Sequence, residues 1–313
     1  MKEASVHRFT ERCRKMQGLY REELGEQEGV GPSPHSKNKH MNMLVNGDVT
    51  GKNFLSNDIF EYAKQRVEQN KQRKNETIEA YRLFNNMLSS QPMAFNLFRP
   101  LMRLLEEDRA DDVTRMVRAA FPLIPVGQVF EVGIEFLHED IERYLDDKTA
   151  MDAIIRYYDS DQVPCFIAIE TKYTDVLGEN GPRDASRHKE LIKQLHCFKP
   201  DSETALLSGR IEISQIYRNF LLAESYRLGE PSTHENTIAY SVVLAPKDHP
   251  TTASEVASLR DELAEPYSER VMAVPLEQVV RAFIDNAPAD FSPLYETFYY
   301  RYLDFSRLHY PTI

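Results

Sequence analysis

Residues 165–175 read CFIAIETKYTD, an apolar run that stops in an acid, a base and a second acid. Side chains alternate along a strand, so Glu170 and Lys172 share one face. Phe166, Ile167, Ala168 and Ile169 before them make a segment that can be buried on both sides. An apolar strand that ends in charges holds those charges at a rigid edge. The rest of the chain is therefore read outward from this strand.

Upstream, MDAIIRYY (residues 151–158) is also strand-like, and DSDQVP between the two is a turn. VFEVGIEFL (residues 129–137) is a third strand, with Glu131, Gly133 and Glu135 on one face and Val132, Ile134 and Phe136 on the other. HEDIERYLDDKTA connects it to the second. Three strands joined by short polar loops predict an antiparallel meander. If the last two form a hairpin, the start of one lies beside the end of the other. Asp152 then approaches Glu170 and Lys172.

Downstream, helical patterns cover about 185–197 and 208–227. IAYSVVLAP predicts a strand, TASEVASLRDELA a helix, VMAVPL a short strand, EQVVRAFIDNA a helix and PLYETFYYRYLDFSRL an aromatic closing helix. Upstream of the sheet, residues 58–86 read as helix with a break near Asn75. Ser90 is placed as the N-cap of an apolar helix over 93–105, with Gln91 or Pro92 in its first turn. A short helix over 111–120 follows. Residues 5–24 are helical, whereas 25–56, rich in Gly, Pro, Ser and His, carry loop signals. The expected organisation is an N-terminal helix and flexible linker (1–56) ahead of a domain over 57–313. That domain comprises a helical segment (57–127) and an α/β core (128–290) with a mixed sheet flanked by helices.

Composition bounds the function. The chain has 313 residues, 42% of them hydrophobic, and no Trp. It has no apolar run of the roughly 18 residues that a membrane span needs, and its start lacks the pattern of a signal peptide, so a cytoplasmic protein is expected. Cys13, Cys165 and Cys197 are too scattered for a disulfide framework or a zinc site. The net charge of −11 argues against nucleic acid only in sum, because residues 130–161 hold ten acids against three bases. Lys64, Arg66, Lys71, Arg73 and Lys74 form a basic stretch, read either as a solvated helix face or as a contact for phosphates. No dinucleotide or P-loop motif occurs.

Two carboxylates brought together by strand pairing repel unless a cation sits between them. A hard divalent ion is the natural occupant, typically held by one or two carboxylates plus substrate phosphate. Lys172 could then orient or deprotonate an attacking water, or offset charge on the phosphate oxygens.

Asp152 followed by Glu170-Thr171-Lys172 resembles the signature of the PD-(D/E)XK nuclease superfamily. Three stretches, SSQPMAFNLFRPL (Ser89–Leu101), IAIETKYTD (Ile167–Asp175) and QIYRNFLLAE (Gln215–Glu224), resemble a bacterial restriction-endonuclease-like group over roughly residues 75–305. The resemblance implies a restriction-endonuclease-like core, Mg²⁺ or Mn²⁺ as cofactor and hydrolysis of DNA. Asp152 and Glu170 would bind the metal, and Lys172 would be the catalytic lysine. Glu135, with Glu131 as competitor, would be an additional acid, and Gln215 would lie near the site. Arg218 would contact phosphate, and Gln91 and Asn96 would face the cleft. A homodimer is compatible with it. Met151 stands where the motif has Pro, at a variable position. The alternatives are a catalytically inactive nuclease fold serving as a nucleic-acid-binding or scaffold protein, and a hydrolase that uses the two acids without Lys172.

Overall fold

The computed structural model describes residues 2–73, 77–138, 140–178, 181–229 and 236–308. In chain order the elements begin with α1 (Lys2–Glu23), β1 (Gly29–Val30), β2 (Lys39–His40), α2 (Gly47–Thr50), α3 (Asn57–Arg73), α4 (Ala80–Asn85), α5 (Ser90–Glu106) and α6 (Ala110–Ala120). They continue with β3 (Gln128–Phe136), β4 (Met151–Tyr158), β5 (Pro164–Thr171), α7 (Ser186–Leu195), α8 (Pro200–Ser208) and α9 (Gln215–Gly229). The last are β6 (Ala239–Ala245), α10 (Thr252–Glu262), β7 (Val271–Pro275), α11 (Leu276–Asn286) and α12 (Ser292–Tyr302).

Five strands form one mixed sheet in the order β3-β4-β5-β6-β7. β3, β4 and β5 are the antiparallel meander expected from their short connections, and β6 and β7 join in parallel through helical crossovers. β5 is central, and every residue from Cys165 to Thr171 is buried, which is what a segment apolar on both faces requires. One face of the sheet packs Val129, Ile134, Ile155 and Ile167 against α3, α5, α6, α11 and α12. The other packs Ile154, Phe166, Ala168 and Val243 against α7–α10. The fold is α/β, with the sheet between two helical layers.

Three expectations are corrected. Ser89, not Ser90, caps α5, its Oγ accepting from Gln91 N. The clean alternation read for β3 fails at its end, because Glu135 has a left-handed φ of 49°. Ile134 therefore packs on the α5 side while Phe136, two residues on, packs on the α9 side.

The third correction concerns residues 1–56. Phe9 and Cys13 of α1 are buried in the same core as α12, Phe54 joins them, and Met16 of α1 is fully buried as well. Met43 and Leu44 are buried too, and β1 pairs with β2 in the stretch expected as linker. Arg301 of α12, fully buried, donates to Gln17 Oε1 of α1 and to both oxygens of Asn53. A guanidinium removed from water must keep its donors occupied, so these bonds fix the N-terminal helix, the loop at Asn53 and α12 together. Met16→Ala is expected to lower the unfolding free energy in urea by about 2–4 kcal/mol, the usual range for a truncated core side chain. A loss below about 0.5 kcal/mol, typical of surface sites, would mean that α1 is an arm after all.

Candidate active site

β4 pairs with β5 in a register that matches Ala153 with Ile169. One step further along it sets Asp152 opposite Glu170. The ladder ends there, and Asp152 Oδ2 takes the place of a backbone carbonyl, accepting from Thr171 N and from Thr171 Oγ1 at 2.7 Å each. On the other side Lys172 N donates to Leu244 O of β6. The peptide carrying the acid and the base is thus held from both neighbouring strands.

Glu170 and Lys172 point the same way and form an ion pair of 2.8 Å, both buried. Helix α9 closes over them. Gln215 Nε2 donates to Glu170 Oε1 at 2.9 Å, and its Oε1 accepts from Lys172 Nζ and Gly178 N. Asn219, one turn on, donates to Glu170 Oε2 at 3.0 Å. Sequence reasoning missed Asn219. Its signal was present, since positions four apart on a helix share a face and Gln215 was already placed.

Glu135 reaches the same cleft from β3. Its left-handed backbone, a strain of about 1–2 kcal/mol for a residue with a Cβ, is held by Arg66 of α3. The guanidinium donates to Ile134 O and Glu135 O, and Gln91 of α5 donates to the Glu135 carboxylate at 2.7 Å. Burial, then the charges of Asp152 and Glu170, push the Glu135 carboxyl up to about 8. Burial, then Glu170, push Asp152 up to about 7, against the pull of Lys172 and Thr171. For Lys172, burial alone would lower the ammonium's pKa, but Glu170, Asp152 and Asp175 outweigh it and hold it above the usual lysine value.

The cleft, of about 410 Å³, is lined by Gln91, Glu135, Asp152, Glu170, Lys172 and Gln215, with Arg82, Lys148 and Asp175 also on its wall. It brings together six side chains that the sequence placed at the site. Others go elsewhere. Arg66 supports the backbone of β3 from behind. Arg218 forks onto Asp147, with contacts of 3.0 and 2.6 Å, instead of standing ready for phosphate. Asn96 is a buried amide tying Leu55 N, Asn53 O and the Tyr302 hydroxyl. Glu131 lies 3.7 Å from Arg156 and does not line the cleft. Lys64 pairs with Glu61 on the exposed face of α3, and Lys71 lies near Glu68 there. Lys74 lies outside the described residues, and Arg73 ends α3.

A family model for the PD-(D/E)XK nuclease superfamily matches residues 4–304. The chain belongs to that superfamily, and the match takes in α1, which the resemblance read from the sequence had left outside. Searches of curated proteins and of solved structures found no match. No described helix is long and apolar enough to cross a membrane.

Members of the superfamily typically use divalent metal ions, and the residues here fit one. Among the described residues no three His, Cys, Asp or Glu side chains form a ready-made metal cage. A magnesium-type site needs only one or two carboxylates, with water and substrate completing it. Asp152 Oδ1 accepts no hydrogen bond among the described residues, and the raised proton affinity of Asp152 and Glu135 reflects burial together with neighbouring negative charge, which a cation would relieve.

Both acids have folded pKa values above their unfolded ones. Their contribution to stability is full below the unfolded pKa and is lost as pH rises through about 7–8. Without divalent ions, Glu135→Gln is expected to raise the melting temperature at pH 8.5 by at least about 2–4 °C, corresponding to roughly 1 kcal/mol. It should change little at pH 5.5, where Glu135 is already neutral. An equal shift at both values would contradict the charge burden assigned to Glu135.

Proposed function

We propose that this chain is a metal-dependent nuclease that hydrolyses phosphodiester bonds of DNA by attack of water. The observation that carries the reading is the convergence of Asp152, Glu170 and Lys172 at adjoining strand ends in a chain of the PD-(D/E)XK superfamily. DNA is preferred to RNA on the likeness of three stretches to the restriction-endonuclease-like group.

Asp152 and Glu170 would hold a magnesium or manganese ion, which when bound polarises the phosphate and acidifies its water. Lys172, kept protonated by the acids around it, offsets charge that develops on the phosphate oxygens. Gln215 and Asn219 fix the rotamer of Glu170 from α9. Glu135, whose pKa lies near neutrality, can exchange a proton with solvent in the cleft.

One observation favours the rival reading of a non-cleaving nuclease fold. Both oxygens of Glu170 are already engaged, by Lys172 and Gln215 on one side and Asn219 on the other. A metal ion must share or displace these contacts, and binding measurements separate the two readings. Purified protein incubated with DNA and Mg²⁺ or Mn²⁺ is expected to cleave it, and Glu170→Ala or Lys172→Ala to lose at least about 100-fold in rate. Cleavage unaltered in both variants would remove the assignment. Asp152→Asn should weaken Mn²⁺ binding in calorimetry, and an unchanged isotherm would take Asp152 out of the site.

A further inference from the structure

The connection between β3 and β4 holds a buried network that the proposed chemistry does not use. Asp147 is buried, and its carboxylate accepts from five donors. Thr149 N, Thr149 Oγ1 and Arg218 Nη2 reach Oδ1 at 3.0, 2.8 and 2.6 Å. Arg218 Nε and His188 Nε2 reach Oδ2 at 3.0 and 3.1 Å. Arg218 Nη2 also bonds Thr149 Oγ1, so one guanidinium grips two residues of the same turn. Burial would raise the Asp147 carboxyl, but the bonds from His188, Arg218 and Thr149 outweigh it and hold the group well below the usual carboxylate range. The loop is thereby clamped to α7 and α9.

Between the two gripped residues stands Lys148, exposed on the wall of the cleft beside Thr149, Ala150 and Asp152. The other two cations there are committed. Lys172 is paired with Glu170 and bonded to Gln215, and Arg82 is paired with Asp175 at 2.8 Å and bonded to Ser89. Lys148 has no partner among the described residues. A buried ionic clamp on both sides of an unpaired lysine on the wall of an acidic cleft fixes the backbone from which that charge reaches toward a ligand.

We propose that Lys148 is a phosphate-contacting residue that grips the nucleic-acid backbone beside the scissile position, and that Asp147, with Arg218 and His188, is its positioning device. This rests on the reading of the cleft as a nucleic-acid site. A lone ammonium reads charge and not base identity, so the contact adds affinity for any sequence.

The test is fluorescence anisotropy of a labelled DNA oligonucleotide with Ca²⁺ present, repeated at several salt concentrations, alongside Mn²⁺ calorimetry and cleavage assays. Lys148→Ala is expected to weaken DNA binding about tenfold and to make the salt dependence shallower by nearly one unit, the value for one phosphate contact. Mn²⁺ affinity should be unchanged, and Lys148→Arg should restore binding to within about threefold. Asp147→Asn should weaken binding in the same direction, and adding it to Lys148→Ala should have little further effect. A circular-dichroism melt shows whether Asp147→Asn folds; if it does not, Lys148→Ala and Lys148→Arg still decide. Unchanged affinity and salt slope in Lys148→Ala would overturn the proposal. Absent cleavage by the unaltered protein, with the Lys148 effect on binding intact, would instead overturn hydrolysis and leave the phosphate contact standing.

Discussion

The carboxylate of Asp152, accepting from the backbone and hydroxyl of Thr171, is the interaction on which the site depends. It occurs where the β4–β5 ladder runs out, so it ends the pairing and fixes its register together. A slip of one residue would send Glu170 and Lys172 to the opposite face of the sheet, away from α9 and its two amides. Because β5 is buried on both faces and paired on both edges, that slip is opposed by the packing of the whole core. The cleft is therefore rigid on the strand side, and its charges cannot separate to relieve their repulsion.

That repulsion explains the second tier of contacts. Glu135, Asp152 and Glu170 meet in one concave space, and the first two have proton affinities raised into the neutral range. Folding tolerates this by spending neutral donors on them: Gln91 on Glu135, Thr171 on Asp152, Gln215 and Asn219 on Glu170. Such a site stores electrostatic stress that a hard cation would release. Active sites are commonly destabilising in this way, and the surrounding fold must compensate. Here the compensation comes from a two-sided hydrophobic core and from the buried Arg301 that draws α1 and α12 together.

Much of this was legible in the sequence, for physical reasons. The three meander strands, the position of Glu170 and Lys172 on one face and the approach of Asp152 all follow from period-two alternation and short connections, which are local rules. What could not be read depended on distant partners. Gln17 meets Arg301 across 284 positions, so nothing in a helix followed by a Gly- and Pro-rich stretch signals that α1 belongs to the core. Arg66 and Arg218 have the residue type of phosphate contacts, and only the fold reveals that backbone carbonyls and Asp147 claim them. Glu135 is an intermediate case. Alternation put it on a defensible face, but a left-handed kink, invisible in a run of β-formers, is what turns it into the cleft.

The central claim is that Asp152 and Glu170 together make a divalent-ion site. Anomalous scattering from crystals soaked in Mn²⁺ tests it most directly. The account predicts a manganese peak in contact with carboxylate oxygens of both residues, with Asp152 still capping Thr171. Crystals with no peak in the cleft, or with manganese held by residues other than these two, would contradict it.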